Sequence, residues 1–165
     1  PEPDLRVYDR RGQRWTDLGT ITIHPDKDWW YIQPNWNPWY ADSSRLVFLH
    51  GSWLVISSPD GMQKTEIRID GQAGLPVPSP DGKFVAYVTY EPRPKKARLD
   101  LRFWGGATVR VIAAAKGSRP RPVSKQSMDE VLDLKWLDND TLVFDRVADE
   151  MFYEKARIWE AYAER

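Results

Sequence analysis

The chain has 165 residues, 41% of them hydrophobic, and its 24 basic and 24 acidic side chains cancel. That length supports one domain with a substantial core, and the neutral balance argues against wholesale affinity for nucleic acid or an anionic membrane surface. The absence of cysteine excludes disulfides, thiolate metal sites and cysteine nucleophiles, and no apolar run approaches the ~20 residues of a membrane helix.

The chain opens on Pro1, so either a leader has been removed or the chain is cut from something longer. Leu5-Arg6-Val7-Tyr8 runs into Asp9-Arg10-Arg11-Gly12, a short strand ending in a glycine turn, and reads as a hairpin. This N-terminal piece, from Leu5 to about Ile23, supplies the last two strands of a unit. His24 to Ile32 resembles the turn phrase described next, but Asp26 lies only sixteen residues before Asp42, too close for another full unit. It is expected to be an elaborated strand and connection.

A phrase then recurs. Tyr40-Ala41-Asp42-Ser43-Ser44-Arg45-Leu46-Val47-Phe48, Ser79-Pro80-Asp81-Gly82-Lys83-Phe84-Val85-Ala86-Tyr87 and Leu137-Asp138-Asn139-Asp140-Thr141-Leu142-Val143-Phe144 are each a turn followed by a hydrophobic strand. Each Asp stands six residues before an aromatic (Asp42 and Phe48, Asp81 and Tyr87, Asp138 and Phe144). Between these copies lie Leu54 to Ser57, running into the turn Ser58-Pro59-Asp60-Gly61; Thr65 to Ile69, with Ile67 and Ile69 on one face; Leu101 to Trp104, running into Gly105-Gly106; and Thr108 to Ile112, with Val109 and Val111 on one face. The resulting scheme has four parts: residues 1–33, the last strands of a preceding unit plus a connection; 34–74, a four-stranded unit; 75–130, a second such unit with basic loop insertions; and 131–165, a partial unit. Glu150 to Arg165 carries Phe152, Ala156, Trp159 and Ala163 at helical spacing, so it ends the chain either as a short C-terminal helix or as a third strand. Four-stranded antiparallel sheets repeating at roughly 40 residues are propeller blades. The expected fold is all-β, a partial β-propeller of about three blades.

The stretch Pro78 to Tyr87 resembles the repeat of TolB-like β-propellers, related to the propellers of dipeptidyl-peptidase-type enzymes. That repeat carries Trp three residues before the Asp, a place that Trp39 takes; Pro78 departs from it, and Trp136 fits only with one residue missing. The resemblance covers residues 34 to 145 and implies architecture together with an exported protein, periplasmic or extracellular. It implies little about function, because the fold hosts unrelated roles.

Closed propellers have roughly 4 to 8 blades. A three-blade piece leaves sheet ends open and invites association, so the chain is expected to pair with a second copy as half-rings or to be part of a longer chain.

The residues that could carry chemistry are few. Asp42, Asp81 and Asp138 read as structural turn residues whose carboxylates accept backbone amides. Neither His24 nor His50 has a second ligand at metal-binding spacing. No nucleophile elbow, zinc motif or phosphate loop occurs, so no catalytic residue, metal or cofactor is expected and the chain does not read as an enzyme. Trp29, Trp30 and Trp36 are candidates for a binding surface, against the plainer reading that such rings fill gaps between blades. Arg93, Lys95, Lys96 and Arg98 lie between the second and third strands of one unit, and Lys116, Arg119, Arg121 and Lys125 in the connection to the next. In an up-and-down blade those two loops emerge on one face, which would make one basic rim; the plainer reading is two solvated, proline-stiffened loops.

The function expected is a non-catalytic binding or assembly module that self-associates or completes a larger propeller, with a protein partner and no nucleic acid. The alternatives are a propeller segment gating substrate access in a larger serine hydrolase or peptidase, and a glycan-binding protein using exposed tryptophans.

Overall fold

The computed structural model describes residues 4–22, 36–91, 106–125 and 130–147. Within them the chain forms eleven strands: β1 (Asp4–Asp9), β2 (Arg14–Thr20), β3 (Leu46–His50), β4 (Trp53–Ser57), β5 (Lys64–Arg68), β6 (Gln72–Pro78), β7 (Phe84–Glu91), β8 (Gly106–Ala113), β9 (Arg121–Pro122), β10 (Glu130–Trp136) and β11 (Leu142–Val147). No described residue is helical. The strands make four antiparallel sheets in chain order, β1-β2, β3-β4-β5, β6-β7-β8-β9 and β10-β11. The protein is therefore all-β, built from meanders with no crossover within any sheet.

Side-chain alternation explains how the sheets stack. Successive strand residues point to opposite faces. On β3, Leu46 and Phe48 face the first sheet while Val47 and Leu49 face the third. On β7, Val85 and Tyr87 pack toward the second sheet, and Ala86, Val88 and Tyr90 toward the fourth. Three apolar cores result. The first holds Leu18, Ile21, Leu46, Phe48 and Val55. The second is built around Leu49, Leu54, Ile56, Ile67, Val85 and Tyr87. The third includes Val88, Val109, Val111, Val131 and Leu134. A strand buried on both faces reads as a continuous hydrophobic run, as Leu46-Val47-Phe48-Leu49 and Val85-Ala86-Tyr87-Val88 do.

The expected strands from Leu5, Leu54, Thr65 and Thr108 are all present, and three details differ. The unit begun near Pro34 has three strands and one isolated bridge, Trp39 to Leu46, in place of four strands. Pro38 has no N–H to donate, so its carbonyl accepts from Val47 at 2.9 Å but the ladder does not extend. The next unit begins at Gln72, three residues before the expected boundary, and a register shift follows between Gly74 and Val77.

The third difference concerns strand order. Thr108 to Ile112 is the third strand of its sheet, not the fourth: β8 pairs directly with β7 from Phe84–Ala113 to Glu91–Gly106. Gly106 therefore opens a strand and does not close a hairpin turn. Burial gives the reason. β8 packs Ala107, Val109 and Val111 on one face and Ile112 on the other, as an interior strand must. The fourth place goes to the exposed two-residue β9, where Pro122 lies on the sheet edge. The strand expected at Leu101 to Trp104 and the C-terminal helix or strand after Glu150 lie outside the described residues.

Candidate functional site

The three Asp turns share one end of the stack. Asp42 Oδ1 accepts from the Ser44 amide at 2.9 Å and the Ser44 hydroxyl at 2.8 Å. Asp81 Oδ1 accepts from the Ser79 hydroxyl at 2.7 Å and the Lys83 amide at 3.1 Å. Asp138 Oδ1 accepts from the amides of Asp140 at 2.8 Å and Thr141 at 2.7 Å. Asp60 repeats the arrangement with the Ser58 hydroxyl and the Met62 amide. These carboxylates accept hydrogen bonds within their own turns.

The turns also touch one another. The Asp81 amide donates to Asn139 Oδ1 at 3.0 Å, which joins the third and fourth sheets. That contact gives a reason for Asn139 where the second copy has Gly82, because a glycine there would have no side-chain oxygen to accept it. Gly82, at φ 71°, lies against the first turn: a Cβ there would meet Tyr40 and Arg45 at 3.1 Å.

Hydrogen bonding to the ionised form holds these carboxyls below the usual aspartate range. The largest contributions are the Ser44 amide at Asp42, the Ser79 hydroxyl at Asp81 and the Asp140 amide at Asp138. The folded value is below the unfolded one, so the stabilisation is complete above the ordinary aspartate pKa of about 3.9 and is lost as pH falls through the lowered folded value. Urea unfolding midpoints are expected to fall below about pH 4, and Asp138→Asn should make that fall shallower than in the wild type. Identical acid profiles for the two proteins would show that the Asp138 turn contributes nothing to it.

The candidate binding residues divide. Trp29, Trp30, Arg93, Lys95, Lys96 and Arg98 lie outside the described residues, as does His24. Trp36 is half-buried, and its Nε1–H donates to the Pro76 carbonyl at 2.9 Å. It packs against both the first and the third core. Trp136 makes the matching bond to the Val77 carbonyl at 3.1 Å, so two indoles hold β6 where its register shifts. His50 is exposed at the end of β3, with Nδ1 2.8 Å from the Thr20 carbonyl, and ties the first sheet to the second.

Lys116, Arg119, Arg121 and Lys125 are exposed; of the four, Lys125 lies in the connection from the third sheet to the fourth, as expected, and the other three do not. Lys116 and Arg119 are in the β8–β9 hairpin and Arg121 is in β9. Ala114 donates to the Lys83 carbonyl at 2.8 Å, which sets that hairpin beside the Asp81 turn. The chain leaves β7 at Glu91, at the opposite end. The expectation of a single basic rim took Thr108 to Ile112 as the fourth strand; as the third strand it carries Lys116 and Arg119 to the Asp81 end of the sheet, while Arg93, Lys95, Lys96 and Arg98 lie outside the described residues.

Two features were not singled out from the sequence. The first is an exposed aromatic pair. Tyr8 and Trp15 face each other across β1–β2 with ring centroids 4.9 Å apart, and are 46% and 67% exposed. The Arg6–Asp17 ion pair, at 3.6 Å, flanks them. The signal was available, because Leu5 and Val7 alternate inward and leave Arg6 and Tyr8 outward.

The second is a cavity of about 510 Å³ at the end away from the Asp turns, lined among others by Asp70, Tyr87, Thr89, Glu91 and Arg110. Tyr87 and Arg110 are directly opposed in the β7–β8 ladder. Arg110 Nε donates to Thr89 Oγ1 at 2.9 Å, and no described carboxylate pairs with its guanidinium. The Tyr87 hydroxyl is buried and has no hydrogen-bond partner among the described residues. Burial pushes its pKa up to about 12, with Arg110 acting to lower it and Asp70 to raise it.

In comparisons with known proteins, no family model and no curated protein matches this chain.

Proposed function

We propose that this chain is a non-catalytic β-propeller segment that assembles with a second copy of itself. The observation that supports the reading is the unequal covering of its sheets. Each interior sheet carries an apolar core on both faces. The β1–β2 sheet packs one face on the second sheet and presents Tyr8 and Trp15 on the other. Adjacent exposed aromatics flanked by an ion pair have the composition of an interface centre. The repeated Asp turns, their chain-order stacking and the resemblance to TolB-like repeats support blades as the units, and a symmetric pair is the commonest way to satisfy such surfaces. The hairpin bearing Lys116 and Arg119 belongs to the loop face through which the assembled module would meet a protein partner.

Light scattering across a dilution series is expected to give twice the chain mass. Trp15→Glu should weaken the dimer by roughly thirtyfold, the ~2 kcal/mol typical of a central aromatic anchor, while leaving the far-ultraviolet circular dichroism unchanged. A wild-type monomer at every concentration would sink the reading. So would a dimer indifferent to Trp15→Glu.

A further inference from the structure

We infer that the cavity between the β5–β6 connection and the β7–β8 ladder is a binding site for a small zwitterion, a free α-amino acid or a molecule with the same paired charges. Its volume, about 510 Å³, lies within the ~300 to 1,000 Å³ range of small-ligand pockets. The chemistry of its lining narrows the occupant. Arg110 contributes a guanidinium whose Nε is tied to Thr89 Oγ1, so the group is held in place by the protein while no described carboxylate neutralises it. A planar guanidinium fixed in this way suits a carboxylate. Asp70 and Glu91 line the same cavity, and both are exposed to solvent there.

A ligand of one charge cannot match this lining. A simple anion drawn to Arg110 meets two carboxylates, and a simple cation drawn to those carboxylates meets Arg110. A zwitterion satisfies both, with its carboxylate toward Arg110 and its ammonium toward Asp70 and Glu91. The Tyr87 hydroxyl is the independent sign of a missing partner. It belongs to a wholly buried side chain, lines the cavity opposite Arg110, and has no hydrogen-bond partner among the described residues. Buried hydroxyls are ordinarily satisfied, and an oxygen of a bound carboxylate would satisfy this one. Pro120 adds apolar surface to the lining, which suits an aliphatic side chain.

The test is calorimetric titration of the intact chain with glycine, L-alanine, L-leucine, L-phenylalanine, L-lysine and L-glutamate. Two analogues of leucine join the panel: 4-methylpentanoate, which lacks the ammonium, and 3-methylbutylamine, which lacks the carboxylate. At least one amino acid is expected to bind saturably, and both leucine analogues should bind at least about tenfold more weakly than leucine. Arg110→Gln should abolish binding, and Tyr87→Phe should weaken it several-fold while leaving the fold intact. Asp70→Asn, at an exposed position, gives a second reading should Arg110→Gln fail to fold, and should also weaken binding. The proposal is overturned by no binding across the panel, by analogues that bind as well as leucine, or by binding that Tyr87→Phe and Asp70→Asn leave unchanged. None of these outcomes depends on whether the chain is a dimer.

Discussion

Trp36→Ala is expected to destabilise the protein by about 3 kcal/mol, the low end for removal of a large aromatic from a core. The indole packs against two of the three cores and its Nε1–H donates to the Pro76 carbonyl. Trp36→Phe keeps most of the contact surface and loses the hydrogen bond, so its cost should be nearer 1 kcal/mol. Urea denaturation of the three proteins measures both steps. From sequence, Trp36 stood among the residues that could meet a ligand; the placement found here makes it a clamp on β6. A Trp36→Ala protein as stable as wild type would return the ring to the role of an exposed platform.

Leu54→Ala should be costlier still, about 3 to 5 kcal/mol. Leu54 is fully buried in the middle core, pairs with Leu49 on β3 and Ile67 on β5, and sits where the second sheet meets the third. Little in a sandwiched sheet can relax into the space left behind, so the cavity contribution adds to the lost transfer energy. Leu137→Ala is the control, because Leu137 is 62% exposed in the β10–β11 turn. Its expected effect is within about 0.5 kcal/mol. The two variants together test whether stability resides between the sheets or is shared evenly with the turns; equal losses would contradict the stacked-core arrangement. An unchanged denaturant slope in Leu54→Ala would show that the unfolding reaction itself is the same.

The units depend on local signals, and those were readable. Asp42, Asp81 and Asp138 each accept amides two or three residues ahead, so the turn is encoded within a few positions. The strands after Asp42 and Asp81 are apolar on both faces, which a run such as Val85-Ala86-Tyr87-Val88 announces without any partner in view. Asn139 was harder to interpret. Its role is to accept a hydrogen bond from Asp81, 58 residues earlier in the chain, and no local pattern marks such a contact.

What remained illegible has a common physical cause. Strand order in the third sheet turned on whether Thr108 to Ile112 pairs with Phe84 to Glu91, a choice settled by burial on two faces rather than by turn chemistry. Once that pairing forms, Lys116 and Arg119 are carried beside the Asp81 turn. The cavity lining is likewise assembled from a connection, a ladder pair and a strand end that lie as far apart in the chain as Asp70 and Arg110. Period-two alternation and aspartate turns, which involve neighbours only, are written into the order of residues. Pairing register, the burial of Trp36 and the meeting of Arg110 with Tyr87 arise from packing between distant segments, where a one-strand change in partner moves every dependent side chain to a new place.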